Sequence, residues 1–412
     1  MIDGVSSPVA HPTGQQAATG TGRGCWHRWG RRVVMLVVFL VVLRVAPPLW
    51  CGRDATSWWR GDRERQIALV QSVERWTSQP LTPEEFTSGN ATFNGEWHFG
   101  TYQMAILGLA QVAREHPELK SRCLTAMDQC EARLLSEEVR QFDRRSWRED
   151  PLESLDGNAG HAGYLGYLNL ALGVHRALDP AFARRAFHDR ITAKLARALQ
   201  ASPISLLETY PGETYPVDNC AVAASLMLWD RVEGTHRYQP VLDRWRESLV
   251  WQYTDPRTGL LFQAVSSRNG GPVDVPRGSG TLLGAYFLGL AGDPLSTALY
   301  ATGRRELWAP AAGFGAAREY PWNGIQGRGD IDSGPVILGR GISATGFLLG
   351  CARQQGDEAT YAGIYRTVHL FGAPTTRGDR QSFVTGGPLG DALLLALLTA
   401  QPVGQTPSGG TP

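Results

Sequence analysis

Two kinds of helical pattern alternate from Asp62 to the end of the chain, and a chain patterned that way has few ways to bury itself. One kind is charged and amphipathic, with apolar residues spaced by three and four: Arg63 to Thr77, Glu118 to Val139, Ala181 to Gln200, Tyr238 to Gln252, Pro294 to Trp308 and Glu358 to Leu370. The other is small, aromatic and almost uncharged, and its members begin near Trp97, His161, Asp218, Arg277, Asp332 and Pro388, 55 to 64 residues apart. A helix that is apolar all round must be enclosed, whereas one with a single apolar stripe must cover something. Six enclosed and six covering helices close into a double-walled ring, so the expected fold is all-α, an (α/α)6 toroid of six inner and six outer helices over residues 60–401. Glycine in the inner helices permits close packing, against a propensity cost of ~1 kcal/mol at each interior position. A β/α barrel is excluded because no apolar β-branched runs precede the helices; the only strand-like piece is Gly259 to Val265.

Loop lengths orient the ring. Turns from inner to outer helices are short, as at Gly292 and Asp293, while the outer-to-inner connections are long: 78–95, 141–160, 201–217, 253–276, 309–331 and 371–387. Long loops in a compact domain usually carry function, and all six open on the face where the inner helices start. That face collects Glu96, Trp97, Asp156, Glu213, Tyr215, Asp274, Glu319, Tyr320, Trp322, Asp330 and Asp332.

Ahead of the repeat, residues 1–32 read as a disordered tail ending in a basic cluster of Arg23, Arg28, Arg31 and Arg32. The apolar run Val33 to Leu43 follows, and counting past Arg44 to Trp50 gives 18 residues, close to the minimum for a membrane span. No small-x-small cleavage site follows. The expectation is an uncleaved signal anchor or transmembrane helix over 33–50, single-pass in the inner membrane, with basic residues inside and the C-terminal domain on the periplasmic or extracellular side. Residues 402–412 form a second disordered tail. Lys+Arg 40 against Asp+Glu 39 gives a net charge of +1 without a basic stripe, which excludes nucleic acid as a partner. The expected partners are a small-molecule substrate and, through the anchor, the membrane; homo-oligomerisation is left open.

The densest chemistry lies in ETYPGETYPVDNCAVAASL, Glu208 to Leu226, where prolines constrain a loop of acids and tyrosines that runs into an apolar helix. Glu213 and Asp218, with Asp330 and Asp332 on the fifth loop, offer the carboxylates that acid/base work at an alcohol or glycosidic oxygen requires. Asp218 and Asp332 also fall where a helix N-cap belongs, and capping and catalysis are not exclusive. His161 follows DGNAG at an inner-helix start, a place that favours the neutral, proton-accepting imidazole; a core histidine bonded to a loop carbonyl is the other reading. His98 sits comparably on the first inner helix. Cys220 would gain thiolate character at a helix start, or serve as a small buried residue. Tyr215 would orient a substrate, and Trp97, Tyr102, Tyr164, Tyr167 and Trp322 would line its pocket, although aromatics at helical spacing are also plain core. The six cysteines show no C-x-x-C, HExxH is missing, and no glycine-rich phosphate loop follows a strand, so neither metal nor cofactor is expected.

The stretches EWHFGTYQMAILGLA, GHAGYLGYLNLALG, YPVDNCAVAASL and GRGISATGFLLGCA, spread over about residues 60–400, resemble the exported bacterial (α/α)6 proteins grouped with linalool dehydratase/isomerase. The resemblance implies a cofactor-free lyase or isomerase that moves protons with histidine, tyrosine, aspartate and cysteine side chains, with His161 as the histidine of that set. That family uses a pair of cysteines around the third loop and helix, where this chain has Cys220 alone. The alternatives on the residues are a carbohydrate-active (α/α)6 enzyme, a glycoside hydrolase or sugar epimerase, and a non-catalytic scaffold that binds sugar or lipid.

Overall fold

A computed structural model describes residues 22–401 except 87, 325, 328 and 330–332, and the side chains of 22–28 and 83 are not described. Asp330 and Asp332, residues 1–21 of the N-terminal tail and the tail 402–412 therefore lie outside the described residues. The chain divides between Pro47 and Pro48 into two units. Most of the first unit is helix α1 (Gly22–Gly52), whose last residues belong to the second unit. Val33 to Leu43 are each more than half exposed along it. The helical stretch Trp29–Trp59 contains an 18-residue window, with a mean hydropathy of 2.4, that is long and apolar enough to cross a membrane.

The second unit opens with α2 (Ala55–Trp59) and the outer helix α3 (Arg63–Ser78), followed by the inner helix α4 (Ala91–Glu115), outer α5 (Lys120–Leu134) and an additional helix α6 (Glu137–Trp147). A π-helical turn, Ala162–Gly166, leads into inner α7 (Tyr167–Leu178), and outer α8 (Arg185–Ala201) follows. Inner and outer helices then alternate as α9 (Pro216–Glu233), α10 (Gln239–Gln252), α11 (Gly278–Leu290), α12 (Pro294–Leu307), α13 (Ile342–Gln354), α14 (Glu358–Gly372) and α15 (Gly387–Leu398). The inner helices pack in order, α4 on α7, α7 on α9, α9 on α11, α11 on α13 and α13 on α15, and α15 returns to α4. Each outer helix covers its inner partner, and α3, the first outer helix, covers α15, the last inner one. This is the (α/α)6 toroid.

Burial explains the alternation. Leu168, Leu170 and Leu172 on α7 and Ala221 to Leu226 on α9 are sealed from solvent, and each buried leucine contributes ~1.5–3 kcal/mol. At the closing seam, a Cβ on Gly108 of α4 would stand 2.6 Å from Leu395 Cγ and 2.8 Å from Ala396 N, so only glycine lets α15 approach. On the short-turn side, outer helices α3, α12 and α14 are capped by Asp62, Asp293 and Asp357, whose carboxylates accept from Arg65 N (3.1 Å), Leu295 N (2.9 Å) and Thr360 N (2.9 Å).

Several boundaries differ from the sequence expectation. The single helix expected over Glu118 to Val139 is two, because Leu135 and Ser136 break it and Ser136 Oγ caps α6 by accepting from Val139 N. The expected loop 141–160 is thus partly α6. Helix α4 begins at Ala91 rather than near Trp97, capped by Asn90 (2.8 Å to Thr92 N). Helix α13 begins at Ile342 rather than near Asp332, after a hairpin of β3 (Val336–Ile337) and β4 (Arg340–Gly341). Strands β1 (Glu213–Thr214) and β2 (Val265–Ser266) pair antiparallel and tie the third long loop to the fourth; the predicted strand-like piece ends in β2. Hairpin β5 (Pro374–Arg377) and β6 (Arg380–Phe383) precedes α15.

Candidate active site

The third long loop and its neighbours carry most of the mouth's chemistry. Helix α9 starts at Pro216, in the first helical position that proline suits, with Tyr215 as the N-cap residue. Asp218 therefore sits inside the first turn and does not cap. Its Oδ1 accepts from Tyr167 Oη at 2.7 Å and its Oδ2 from Thr209 Oγ1 at 2.6 Å. Burial pushes the Asp218 carboxyl up, against the lowering effect of those two donors. Asn219, next in sequence, locks the loop by accepting from Leu207 N (2.7 Å) and donating to Leu207 O (3.0 Å).

His161 ends the second long loop. Its backbone is left-handed (φ 47°), unusual for a residue with a Cβ, and it stands immediately before the π-helical turn. Neighbouring contacts hold it there: Ala162 N donates to Glu208 O (3.1 Å), and Lys194 of α8 donates to Gly157 O (2.8 Å) and Ala159 O (2.6 Å) of the preceding loop. The imidazole is sealed. Its Nδ1 lies 2.6 Å from Asp143 Oδ2, its Nε2 lies 3.3 Å from Glu149 Oε1 and 3.5 Å from Ser154 Oγ, and Trp147 packs over it with ring centroids 4.6 Å apart. Burial also pushes the Asp143 carboxyl up, opposed by the bond to His161.

Tyr210 joins the two groups. Its hydroxyl donates to Glu96 on α4. Burial first, and then the charges of Glu96, Asp143 and Asp218, hold the phenol well above its ordinary range. Of these carboxylates Glu96 of α4 is the one that bonds the hydroxyl. The wall is continuous as well, since Trp147 Nε1 donates to Thr209 O (3.0 Å), and Thr209 in turn bonds Asp218. Asp218 and His161 share this wall without a direct hydrogen bond between them.

The remaining candidates fall elsewhere. Glu213 is exposed and accepts from Tyr215 Oη at 2.7 Å. Cys220 is buried against α11, 3.0 Å from where a Cβ on Gly284 would stand, and burial raises its thiol, opposite to the thiolate expected at a helix start. Tyr102 and Tyr164 are fully buried: Tyr102 Oη accepts from Leu81 N (3.1 Å) in the first long loop, and Tyr164 Oη donates to Leu134 O (2.8 Å) at the end of outer α5. Tyr167 is half-buried, with its ring edge-on to Phe287. Trp97 is half-buried against the core, and Trp322 is exposed beneath the Arg318 guanidinium (4.1 Å). Asp143, Thr209 and Trp147 were not among the sequence candidates. A signal for Asp143 was present: it lies four residues after Val139 on the buried stripe of α6.

Among the described residues one cluster has metal-like geometry, Asp128, Glu131 and His175. The Arg184 guanidinium already occupies it, 2.9 Å from Asp128 and 2.8 Å from Glu131, with His175 Nδ1 2.6 Å from Glu131. A cavity of about 270 Å³ lies at the far end of the ring, where Ala110, Val174 and Leu290 meet Arg114 and Arg231, away from the mouth.

The fold and the mouth define a helical toroid with tyrosine, histidine and carboxylate groups converging at one end of the inner helices. The sequence model of the linalool dehydratase/isomerase family matches residues 182–381, and over that stretch, which contains Tyr210, Asp218 and Cys220, the chain is similar to that family. No curated protein matches the chain. Among solved structures, a GH76 α-mannanase of Bacteroides thetaiotaomicron is similar at 8% identity and a TM-score of 0.45, covering 73% of this chain and 85% of that one. A GH76A α-1,6-mannanase from Salegentibacter sp. is similar at 11% identity and a TM-score of 0.47, covering 80% of this chain and 97% of that one.

Proposed function

We propose that this chain is a cofactor-independent lyase or isomerase of the linalool dehydratase/isomerase type, acting by acid/base chemistry on a hydroxyl-bearing small molecule at the mouth of the ring. The observation that carries the reading is the Tyr210 hydroxyl bonded to Glu96 in one wall with the bonded pairs Asp218–Tyr167 and Asp143–His161. Left-handed backbone at His161 beside a π-helical turn adds to it, because such strain collects at functional sites. Tyr167 gives its hydroxyl proton to the leaving hydroxyl oxygen and takes in its place the proton of Asp218, whose carboxyl burial pushes up; the C–O bond breaks and water departs. The neighbouring C–H proton passes to the Tyr210 oxygen as Tyr210 passes its own proton to Glu96, and the C–H electron pair becomes the new double bond. His161 and Asp143 hold the wall behind Tyr210.

Residues 33–50 serve in this reading as an uncleaved inner-membrane anchor, with the toroid on the periplasmic or extracellular side. A C-terminal alkaline phosphatase fusion should then be active, and an inactive one refutes export. For the activity, terpene alcohols and oligosaccharides are screened for turnover with the full chain, with Asp218→Asn in parallel. Dehydration or isomerisation of an alcohol, reduced ~100-fold or more by Asp218→Asn, is the expected result. Hydrolysis of an oligosaccharide selects a carbohydrate-active enzyme instead, and binding without turnover selects a scaffold.

A further inference from the structure

Beyond Trp50, every large hydrophobic side chain that is exposed among the described residues lies on the mouth face. Trp251 ends outer helix α10, Val273 lies in the loop before α11, Leu338 is the tip of the β3–β4 hairpin, Ile342 starts α13, Phe371 ends α14, and Val384 precedes α15. They come from the fourth, fifth and sixth long loops, so the mouth has an apolar half opposite the half that holds Glu96, His161 and Asp218. Leu338 is 84% exposed and has a left-handed backbone (φ 50°), a strained place for a leucine. Exposed apolar patches of this kind mark protein or membrane contacts.

The chain's own path indicates which. Trp59 packs on Tyr361 (centroids 5.1 Å apart), and a Cβ on Gly52 would touch Arg366 at 2.8 Å. Residues 52–59 therefore run antiparallel to α14, and the residues before Gly52 head toward the end of α14 that carries Leu370 and Phe371. Arg366 also donates to Gly313 O (2.9 Å) in the loop leading to the β3–β4 hairpin. Residues 48–59, with which the second unit begins, thus run beside the apolar half of the mouth. Two tryptophan–arginine stacks flank this region, Arg53 over Trp50 (4.2 Å) and Arg318 over Trp322 (4.1 Å), the amphipathic pairing that suits the headgroup level of a bilayer.

We infer that the apolar half of the mouth rests on the lipid bilayer that the N-terminal helix crosses, so that an apolar alcohol dissolved in the membrane enters the ring without passing through water. This rests on the anchor reading above, and the test separates the two. The full chain carrying Cys25→Ser is reconstituted into vesicles of phosphatidylcholine and phosphatidylglycerol, and an environment-sensitive fluorophore is placed on single cysteines by Leu338→Cys, Phe371→Cys, Val38→Cys or His236→Cys. The remaining native cysteines, Cys51, Cys123, Cys130, Cys220 and Cys351, are buried and resist labelling. His236 is exposed in the turn between α9 and α10, on the opposite face. Spin-labelled lipid should quench the probes at 338 and 371 about twofold or more while leaving 236 unchanged, and deep-labelled lipid should quench 38. Quenching at 38 with none at 338 or 371 overturns membrane docking and leaves the anchor standing. No quenching at 38, 338 or 371 overturns both. A blue shift at 338 that lipid labels do not quench, together with 338-to-338 crosslinking between copies, shows that a second copy of the chain covers this face and also overturns the inference.

Discussion

Asp143 and His161 meet at 2.6 Å with both side chains sealed from solvent, one on α6 and the other 18 residues further on at the start of a π-helical turn. A buried pair of this kind does little for stability while intact and costs a great deal when half is removed, because His161 Nδ1 then loses its partner away from water while only Nε2 keeps its neighbours Glu149 and Ser154. Asp143→Ala should lower unfolding free energy by about 3–5 kcal/mol in urea titration, and Asp143→Asn, which still accepts from Nδ1, by clearly less. An Asp143→Ala protein with the wild-type urea midpoint would show that the pair is not holding the wall.

The two tyrosine hydroxyls that meet carboxylates at the mouth should matter to rate far more than to fold. Tyr167→Phe retains the edge-on packing against Phe287 and removes the donor to Asp218; Tyr210→Phe removes the donor to Glu96. Each should reduce turnover of the substrate found by screening by ~100-fold or more, at a cost of about 1–1.5 kcal/mol in stability. Turnover within a few-fold of wild type in both variants would remove the tyrosines from the proton path.

Cys220 should be dispensable for the chemistry. It is enclosed between α9 and α11, and burial keeps its thiol protonated. Cys220→Ala should retain turnover while losing ~1–2 kcal/mol of packing, and the native thiol should resist iodoacetamide until the protein is unfolded. Loss of turnover with an unchanged melting temperature would return Cys220 to the catalytic set.

Two buried groups near the mouth should tilt stability in opposite directions between pH 4 and 6. Burial lowers the His98 imidazole from 6.5 to about 4, so the unfolded chain binds the extra proton and stability is lost as pH falls from about 6.5 to 4. Burial raises the Asp391 carboxyl from 3.8 to about 6, so the folded chain binds the extra proton and stability is lost as pH rises from about 4 to 6. Relative to wild type, His98→Phe should gain stability toward pH 4 and Asp391→Asn should gain it toward pH 6, each by up to about 3 kcal/mol. Difference curves that are flat with pH, from urea titrations at a series of pH values, would contradict both assignments.

The ring was legible in the chain because enclosure leaves a compositional mark: α7, α9 and α11 have no charged face to give to water, while α8 and α12 have one. The break at Ser136 was not, since an amphipathic stripe can continue through a capped interruption without changing its period. At the candidate site, His161 and Asp218 could be picked out from their expected places at helix starts, and Tyr167 as an aromatic on an inner helix. The pairing of Tyr210 with Glu96 spans 114 residues and depends on how the first inner helix faces the third loop, which no local pattern encodes. The cap expected at Asp218 failed for a related reason, because Pro216 begins the helix earlier and frees the carboxylate for Tyr167 and Thr209.

The covering of α15 by α3 sets an order on biogenesis. Ser72 of α3 and Ser382 at the edge of β6 are hydrogen-bonded at 3.0 Å across 310 residues, and Gln401 N donates to Gln111 Oε1 of α4 at 2.6 Å. The first outer helix thus waits, through the synthesis of nearly the whole polypeptide, for the partner that shields its apolar stripe, and α4 presents one uncovered flank until the same moment. Contacts of such long range are slow to form, and a growing chain that lacks them is exposed to aggregation. A nascent chain with both sticky edges open is one that chaperones must hold, and loss of the last helix alone should leave the first half of the ring unable to finish folding.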